Sequence, residues 1–345
     1  MSYEYERVIT PASGLRLHLN ENTAGCSPAV LEAIGRLTRQ DLAAYPDYDA
    51  AIAACALRLG VGRESLVLTN GLDEGILAAA MVALGGGARE TTREAIVVVP
   101  AFDMYAACSD AAGFQVIEVP LEAGFEFPLD NILTAINERT RLIWLTNPNN
   151  PTGQSIPREA IVRIATWASN ALVFVDEAYV DFGGATLIGD PVLGQLPHVV
   201  IGRTFAKAYG LAGLRAGAVV GDEETIRSFR RVVPPYSINT CAAAALPAAF
   251  GDTAYYDWYL GQVAQSKALL YEGLDRLGIA HWKSDANFVL AKFDGRGTRV
   301  AAALAMGGVY VRDRSRDPGC ADCLRMTAGV VDHTRELLAA LEEVL

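Results

Sequence analysis

Short apolar segments alternate with helix-like segments along the first two thirds of the chain. The apolar segments, each bounded by turn residues, lie at 66–69, 96–99, 115–119, 141–146, 172–176, 198–202 and 216–220. Most are separated by segments of helical character, such as 72–84, 103–113 and 157–169. Strands that alternate with helices predict an α/β fold, in which a mainly parallel sheet is covered by helices on both faces.

The pattern changes after residue 235. A long helical stretch at 253–277 is followed by three strand-like segments, ANFVLAKF, GGVYVRD and CLRMTAG, and then by a final helical segment. We therefore expect a smaller α+β domain after the large one. The predicted division is an N-terminal segment, residues 1–40, that packs with the small domain, a large domain at 41–235 and a small domain at 236–345.

The amino-acid composition limits the kinds of partner that the protein can bind. Of the 345 residues, 51% are hydrophobic, which is enough for a sizeable core and more than one domain. The net charge of −11 disfavours nucleic acid, because a phosphate backbone is bound by clustered Lys and Arg. The first residues have no signal-peptide core, and the longest apolar runs are too short to cross a bilayer. We expect a soluble, cytoplasmic protein with no membrane partner.

Six cysteines are spread along the chain, and only Cys320 and Cys323 form a Cys-x-x-Cys pair. A structural zinc ion takes four ligands, and no second pair or closely spaced histidines accompany this one. Without a secretory signal, the thiols are expected to stay reduced. We therefore expect no metal site and interpret CADC as a loop with two thiols.

Polar residues or glycine directly follow several of the predicted strands. These positions are Thr69-Asn70-Gly71, Asn147, Asp176-Glu177 and Gly202-Arg203-Thr204. Open parallel sheets bind their ligands at the carboxyl ends of the strands. This edge of the sheet is therefore the predicted ligand site.

Two loops at this edge have distinctive sequences. NGLDEG at 70–75 follows a strand and opens a helix, so its free N–H groups and the helix dipole favour an anion; an ordinary strand-to-helix turn is the alternative. TNPNNPTG at 146–153 is stiffened by two prolines and a glycine and can aim the Asn150 amide at a ligand; a cluster of type I turns is the alternative. The sequence of either loop, taken by itself, does not decide between ligand binding and an ordinary turn.

Two charged residues lie in apolar surroundings. Asp176 ends a strongly apolar segment and calls for a cationic partner; capping of the next segment is the alternative. Tyr179 lies within reach of the same space. Lys207 lies among small and aromatic residues, which favours a nucleophilic free amine suited to Schiff-base chemistry. Thr204 and Arg215 can bind a phosphate beside it; a surface lysine with an unrelated arginine is the alternative.

Together these features describe one ligand. An anion binds at a helix start and to an arginine, and an aspartate meets a cationic ring nitrogen. An asparagine and a tyrosine meet a phenolate, and a lysine bonds to a carbonyl carbon. Pyridoxal phosphate carries all of these groups.

The sequence resembles the fold-type I pyridoxal-phosphate aminotransferases of class I/II, and it is most similar to the histidinol-phosphate aminotransferases among them. The resemblance covers almost the whole chain, through the motifs LHLNEN, AYPDY, NGLDE, NPNNPTGQ, VDEAYVDF, RTFAKAYGLAGLRAG, NFVLAKF, VYVRDRS and LRMTAG in the family's order. It implies transfer of an amino group from histidinol phosphate to 2-oxoglutarate, a step of histidine biosynthesis.

The resemblance assigns the chemistry to four side chains. It implies that Lys207 bonds to the cofactor as a Schiff base and later moves protons between the substrate Cα and the cofactor. It implies that Asp176 keeps the pyridine nitrogen protonated, which makes the ring an electron sink. Asn150 and Tyr179 would bind the cofactor's 3′ oxygen, and Asn150 would also contact the substrate.

The resemblance also implies the remaining contacts to cofactor and substrate. The implied phosphate ligands are the side chains of Thr204 and Arg215 and the backbone at Gly71, Leu72 and Asp73. Phe102, in PAFDMY, would stack on the ring, where family members more often have tyrosine. Arg325 would bind the substrate's acid group, and Arg312 would bind the same anion. Two arginines suit a dianionic phosphate better than a carboxylate.

Tyr45, in AYPDY, matches a residue that reaches the cofactor phosphate from the other subunit, which implies a homodimer with shared active sites. Two positions depart from the family pattern. Ala206 replaces a serine before the lysine, and Ala24 replaces a tyrosine that usually lines the substrate pocket. The open space at Ala24 keeps an aromatic or other amino acid as an alternative substrate.

Two other function classes use the same scaffold. A threonine-phosphate decarboxylase would release CO₂ without net transamination. A non-enzymatic module of a transcription regulator is disfavoured, because the chain has no basic patch for DNA.

Overall fold

The computed structural model describes residues 11–85 and 92–345. In chain order, the strands of these ranges are β1 (Leu15–Leu17), β2 (Leu66–Asn70), β3 (Glu94–Val99), β4 (Gln115–Pro120), β5 (Thr140–Thr146), β6 (Leu172–Asp176), β7 (Val199–Thr204), β8 (Ala216–Gly221), β9 (Ala280–His281), β10 (Phe288–Lys292), β11 (Val309–Asp313) and β12 (Cys323–Thr327).

The α-helices of the same ranges are α1 (Pro28–Gly35), α2 (Arg39–Ala43), α3 (Asp49–Leu59), α4 (Gly71–Ala83), α5 (Met104–Ala111), α6 (Leu129–Ala135), α7 (Arg158–Trp167), α8 (Glu223–Arg230), α9 (Thr240–Gly251), α10 (Thr253–Arg276), α11 (Gly297–Met306) and α12 (Val331–Val344). None of them is long and apolar enough to span a membrane.

Seven strands form the larger sheet, in the spatial order β2-β8-β7-β6-β5-β3-β4. The strands from β7 to β4 pair in parallel, whereas β8 is antiparallel to both of its neighbours, β7 and β2. The chain leaves β7 at Thr204 and returns beside it from Ala216. The connecting segment therefore lies at the sheet edge where β5 and β6 also end.

Both faces of this sheet are buried, as β6 shows. Val173 and Val175 pack into one apolar cluster together with Ile161 of α7. Phe174 points the other way, into a second cluster that contains Ile76 of α4. Successive residues of a strand face opposite sides, so a strand covered on both sides is apolar throughout. This explains the uninterrupted apolar segment at 172–175.

A second sheet has the order β1-β11-β12-β10-β9. Its β10, β11 and β12 form antiparallel pairs around β12, and β9 adds an antiparallel edge. The other edge is β1, which pairs in parallel with β11 although the two strands lie far apart in sequence. The N-terminal segment thus completes a sheet built from the C-terminal third of the chain.

The α/β class and the mainly parallel sheet that the sequence predicted are confirmed. Each predicted apolar segment coincides with a strand, from β2 to β8. The alternation did not predict the reversed direction of β8, because apolar periodicity carries no information on strand direction. The division at residues 40 and 235 stays a prediction.

Candidate active site

A cavity of about 290 Å³ lies at the edge of the large sheet where β5, β6 and β7 end, and side chains of the second sheet form its far wall. Its size is near the lower end of small-molecule sites, which enclose about 300–1,000 Å³. The predicted site residues that line it are Leu72, Asp73, Phe102, Asn150, Asp176, Tyr179, Thr204, Lys207, Arg215, Arg312 and Arg325. The fold therefore gathers most of the predicted site.

Asp176 ends β6 and is buried, with 4% of its surface exposed. Its Oδ2 accepts a 2.6 Å hydrogen bond from the Tyr105 hydroxyl, and its Oδ1 accepts one of 2.8 Å from the Ala178 N–H. Burial raises the pKa of Asp176 to about 6, although both hydrogen bonds act in the opposite direction. Among the described residues, its hydrogen-bond donors are a phenol and an amide, and the cationic ring nitrogen expected as its partner stays a prediction.

Lys207 lies in the segment between β7 and β8 and is half-buried. Its Nζ donates a 3.0 Å hydrogen bond to the Leu19 carbonyl oxygen and lies 5.8 Å from the centre of the Tyr179 ring. Both partners line the cavity. The Tyr179 hydroxyl in turn accepts a 3.2 Å hydrogen bond from Asn20 Nδ2, which fixes the ring. The amine is thus held at the cavity wall.

The start of α4 and the Arg215 side chain form a corner of the cavity. The first N–H groups of a helix have no partner within the helix, so they can bind an anion. Arg215 has a left-handed backbone (φ 53°), which is uncommon for arginine, and its Nη2 lies 2.7 Å from Asp73 Oδ2. A Cβ on Gly71 (φ 69°) would clash with the same Nη2. The corner therefore needs glycine at this position.

Two arginines of the second sheet face each other at the opposite end. Arg312 of β11 and Arg325 of β12 are partners at one register position. Arg325 is buried, and it donates 2.5 Å and 2.6 Å hydrogen bonds to Asn150 Oδ1 and the His18 carbonyl oxygen. Burial lowers the pKa of Arg325 to about 9, so it stays charged at neutral pH. Arg312 lines the cavity, and its side chain makes no hydrogen bond or ion pair to any described residue.

Three predicted site residues do not line this cavity. Gly71 lies behind the Arg215 guanidinium, as its close approach shows. Tyr45 is 77% exposed and stacks on Tyr236, with 4.1 Å between ring centres. Ala24 is exposed on a turn, where its N–H bonds to Asn22 Oδ1. Within one chain, position 24 therefore does not reach the cavity, because this turn holds it at the surface.

Comparison with known proteins identifies the family. Residues 12–341 match the sequence profile of the family described as aminotransferase class I and II. The chain belongs to this family. It is a fold-type I, pyridoxal-phosphate-dependent aminotransferase.

The aminotransferase is similar to curated relatives over its whole length. It is 33% identical over 350 residues to the histidinol-phosphate aminotransferase of Bacillus velezensis, covering 100% of this chain and 94% of that protein. The crystal structure of the histidinol-phosphate aminotransferase from Sinorhizobium meliloti, in complex with pyridoxal-5'-phosphate, superposes with a TM-score of 0.83 at 26% identity. That match covers 96% of this chain and 90% of the other.

The cavity of the aminotransferase fits pyridoxal phosphate by its own chemistry. A buried carboxylate, Asp176, lies at the base and lacks a cationic partner among the described residues. The corner formed by α4 and Arg215 offers a phosphate the guanidinium and the N–H groups of Leu72 and Asp73, whereas the Gly71 N–H donates to the Arg215 carbonyl oxygen. Lys207 lines the same cavity, in the segment that joins β7 to β8. The cavity therefore offers a carboxylate to the ring nitrogen of the cofactor, an anion site to its phosphate and a lysine amine to its carbonyl carbon.

Tyr105, Arg314 and His18 are among the residues that line the cavity of the aminotransferase but were not predicted from the sequence. Tyr105 binds Asp176, but its place on a helix of mostly apolar residues is typical of a core position. Arg314 and His18 join the two facing arginines at the far wall. The RDRSR sequence indicated the charge of Arg314 but not its burial, and the LHL sequence at the end of β1 gave no signal for His18, which follows that strand.

Proposed function

We propose that this aminotransferase transfers the amino group of histidinol phosphate to 2-oxoglutarate. The observation that carries the proposal is the convergence of Arg312, Arg314 and Arg325 at the end of the cavity opposite the corner of α4. A carboxylate is satisfied by one guanidinium, whereas a phosphate monoester carries about two charges and three terminal oxygens. The relative from Bacillus velezensis, which has the same name as the proposed activity, supports this assignment.

The proposal divides the cavity into two anion sites. Arg215, Thr204 and the first turn of α4 would hold the phosphate of the cofactor. Arg312, Arg314 and Arg325 would hold the phosphate of the substrate, or the distal carboxylate of the 2-oxo acid in the second half-reaction. Because the arginines project from a different sheet, the substrate would bridge the two halves of the fold.

When bound, pyridoxal phosphate supplies an electron sink for the bond that breaks at the substrate Cα. Asp176 stabilises positive charge on the ring nitrogen, because its buried carboxylate makes no ion pair with a described residue and only the charge of Lys207 acts on it from a distance. Ionisation of Asp176 is easier in the presence of that charge, which offsets the effect of burial on its pKa.

Lys207 moves the proton in this proposal. Its free amine would accept the proton that leaves the substrate Cα and hold it at Nζ, and the bound cofactor would supply the second carbon to which that proton passes. The Leu19 carbonyl and the Tyr179 ring hold the amine at the cavity wall. Asn150 is oriented by its oxygen, which Arg325 binds, so its NH₂ group is left to donate to the cofactor oxygen.

We also propose a homodimer in which Tyr45 enters the partner's cavity. Tyr45 is exposed and is held by stacking on Tyr236, so its hydroxyl is available to another chain. Further large apolar side chains are exposed on α2, α3 and α4: Leu42, Leu57, Leu77 and Met81. A group of exposed apolar residues of this kind is typical of a subunit interface.

The proposed location is the cytoplasm. All six cysteines are free thiols, and Cys55, Cys108, Cys320 and Cys323 are buried. A reducing compartment keeps thiols in this state.

The proposed function is tested by a comparison of amino donors. We expect kcat/KM to be highest for histidinol phosphate and lower by orders of magnitude for unphosphorylated histidinol, phenylalanine and tyrosine. A preference for an aromatic amino acid would instead assign an aromatic aminotransferase, and CO₂ release without net transamination would assign a decarboxylase.

A second measurement tests Lys207 directly. Borohydride reduction of the holoenzyme should fix the cofactor to the peptide that contains Lys207. Lys207→Ala should retain some cofactor and lose turnover. Labelling of another lysine would contradict the assignment of Lys207 without affecting the assignment of the substrate.

A further inference from the structure

The His18 ring is buried against the cavity with its polar atoms unused. Only 6% of the residue is exposed, and it lines the cavity. Neither Nδ1 nor Nε2 has a hydrogen-bond partner among the described residues. Most buried polar atoms in folded proteins are hydrogen-bonded, and an unsatisfied one lowers stability. An imidazole in this state is therefore a candidate ligand-binding group.

The strand register places His18 at the arginine end of the cavity. Leu17, the last residue of β1, pairs with Val311, so the next residue, His18, lies beside Arg312. Arg312 pairs in turn with Arg325 across β11 and β12. Three neighbouring strands thus contribute one side chain each to the same part of the wall.

Contacts of the backbone and of the ring hold His18 in place, but none of them is a hydrogen bond to a ring nitrogen. Arg325 Nη2 donates a 2.6 Å hydrogen bond to the His18 carbonyl oxygen. The ring packs against Tyr310, with 6.1 Å between ring centres. These contacts restrict the position of the imidazole without using either ring nitrogen.

The burial of His18 and the positive charges around it favour the neutral imidazole. Burial lowers the pKa of His18 most; Glu21 opposes this, and the positive charges of Arg16, Arg312 and Arg325 add to it. A neutral imidazole has one N–H donor and one acceptor nitrogen. At neutral pH, the ring can therefore donate one hydrogen bond to an anion without becoming charged.

We propose that His18 is a substrate-binding residue whose ring N–H donates to a phosphate oxygen of the substrate, beside Arg312 and Arg314. This inference rests on the proposed function, because it takes the substrate's anion to bind at the arginine end of the cavity. It adds a residue that discriminates between a phosphate and a carboxylate at this position.

The shapes of the two anions give the reason for discrimination. A carboxylate has two oxygens in one plane, and one guanidinium can bind both. A phosphate monoester has three terminal oxygens in a tetrahedral arrangement, so one of them points out of any such plane. Arg325 already donates to Asn150 and to the His18 carbonyl, and Arg314 is ion-paired with Asp317. The His18 ring can supply the additional donor that the third oxygen needs.

The test compares His18→Leu, which has no donor, with His18→Asn, whose amide keeps one. His18→Leu should lower kcat/KM for histidinol phosphate by roughly 10–100-fold, mostly through KM, because the lost hydrogen bond involves a charged group. The value for unphosphorylated histidinol should change only a few-fold. His18→Asn should recover part of the loss. An equal loss for both substrates, or no recovery with asparagine, would overturn the inference.

Calorimetric titration of inorganic phosphate into each holoenzyme separates this inference from the proposed function. His18→Leu should bind phosphate about 10-fold or more weakly than wild type. Equal affinities overturn the inference, whatever the enzyme turns over. If wild type does not prefer histidinol phosphate to histidinol, the proposed function fails, and the titration still decides the role of His18.

A matched control is His333→Leu. His333 Nδ1 is also buried without a hydrogen-bond partner among the described residues, but it lies on α12 and does not line the cavity. This variant should leave phosphate affinity unchanged. If His18→Leu does not fold, as judged by cofactor absorbance and melting temperature, His18→Phe provides the same comparison with the ring volume retained.

Discussion

The Tyr105 hydroxyl donates a 2.6 Å hydrogen bond to Asp176 Oδ2 in the wall of the cavity. Because this bond lowers the pKa of Asp176 against the effect of burial, Tyr105→Phe should raise that pKa above its value of about 6. We expect the acidic limb of the kcat/KM profile to move to higher pH, by about one unit for a bond to a charged group. Tyr271→Phe, outside the cavity, is the control; an unshifted profile in Tyr105→Phe would contradict the role.

Asp176 should reduce the stability of the apoprotein at neutral pH. Its folded pKa of about 6 lies above its ordinary value of 3.8, so the folded state binds the proton more tightly than the unfolded state. The stability therefore falls as pH rises from about 4 to 6, by about 2–3 kcal/mol in total. Asp176→Asn should be inactive, yet its apoprotein should be more stable than wild type at about pH 7.5, and the gain should vanish near pH 4.

Urea unfolding of the apoproteins at several pH values measures this effect. Asp257→Asn, which changes an exposed carboxylate on α10, should show no such pH-dependent difference. A wild-type apoprotein whose stability changes between about pH 4 and pH 6 by the same amount as that of Asp176→Asn would rule out the assigned shift.

Gly71→Ala should weaken cofactor binding. The added Cβ would clash with Arg215 Nη2, and the left-handed backbone adds strain. The Arg215 guanidinium must then move, and we expect the dissociation constant of pyridoxal phosphate to rise roughly 10-fold or more. Gly113→Ala is the matched control, since Gly113 also has a positive φ but an added Cβ there would meet no atom within 4 Å. Equal cofactor affinity in both variants would show that the corner tolerates a side chain.

Arg312→Ala should impair the phosphorylated substrate selectively. Arg312 lines the cavity without a partner in the described ranges, so its removal leaves no protein group unpaired there. We expect kcat/KM for histidinol phosphate to fall roughly 10–100-fold, and that for phenylalanine to fall far less. Steady-state kinetics with both donors measure the ratio; equal losses would favour an aromatic substrate.

A hybrid dimer tests the proposed sharing of Tyr45. Lys207→Ala subunits retain Tyr45, and Tyr45→Phe subunits retain the lysine, so one of the two sites in a mixed dimer would have both. Mixing the two variants after mild unfolding should restore activity above that of either one. A fully active monomer by light scattering would exclude the shared site.

The sequence within a few residues of each position was enough to predict the site residues that the large sheet contributes. Asp176 and Thr204 end buried strands, and Lys207 stands alone in an apolar segment, so each has a signal in its neighbours. The direction of β8 had no such signal, because apolar periodicity is the same for parallel and antiparallel strands.

Residues whose position depends on distant pairing could not be predicted in the same way. His18 lies in an apolar–polar alternation that is also typical of an exposed edge strand, and it reaches the cavity only because β1 pairs with β11. Tyr105 resembles any core aromatic residue until its distance to Asp176 is known. Ala24 was matched by motif to a pocket position, but the local turn holds it at the surface.

The pairing of β1 with β11 also has a consequence for the biosynthesis of the chain. Leu15–Leu17 leaves the ribosome long before its partner Val309–Val311 is synthesised. Until then, β1 has no edge to join, and closing so long a loop is entropically slow. The wall that carries His18 and Arg312 is therefore expected to form late. An incomplete nascent chain could fold much of the large sheet, yet it could not select a substrate.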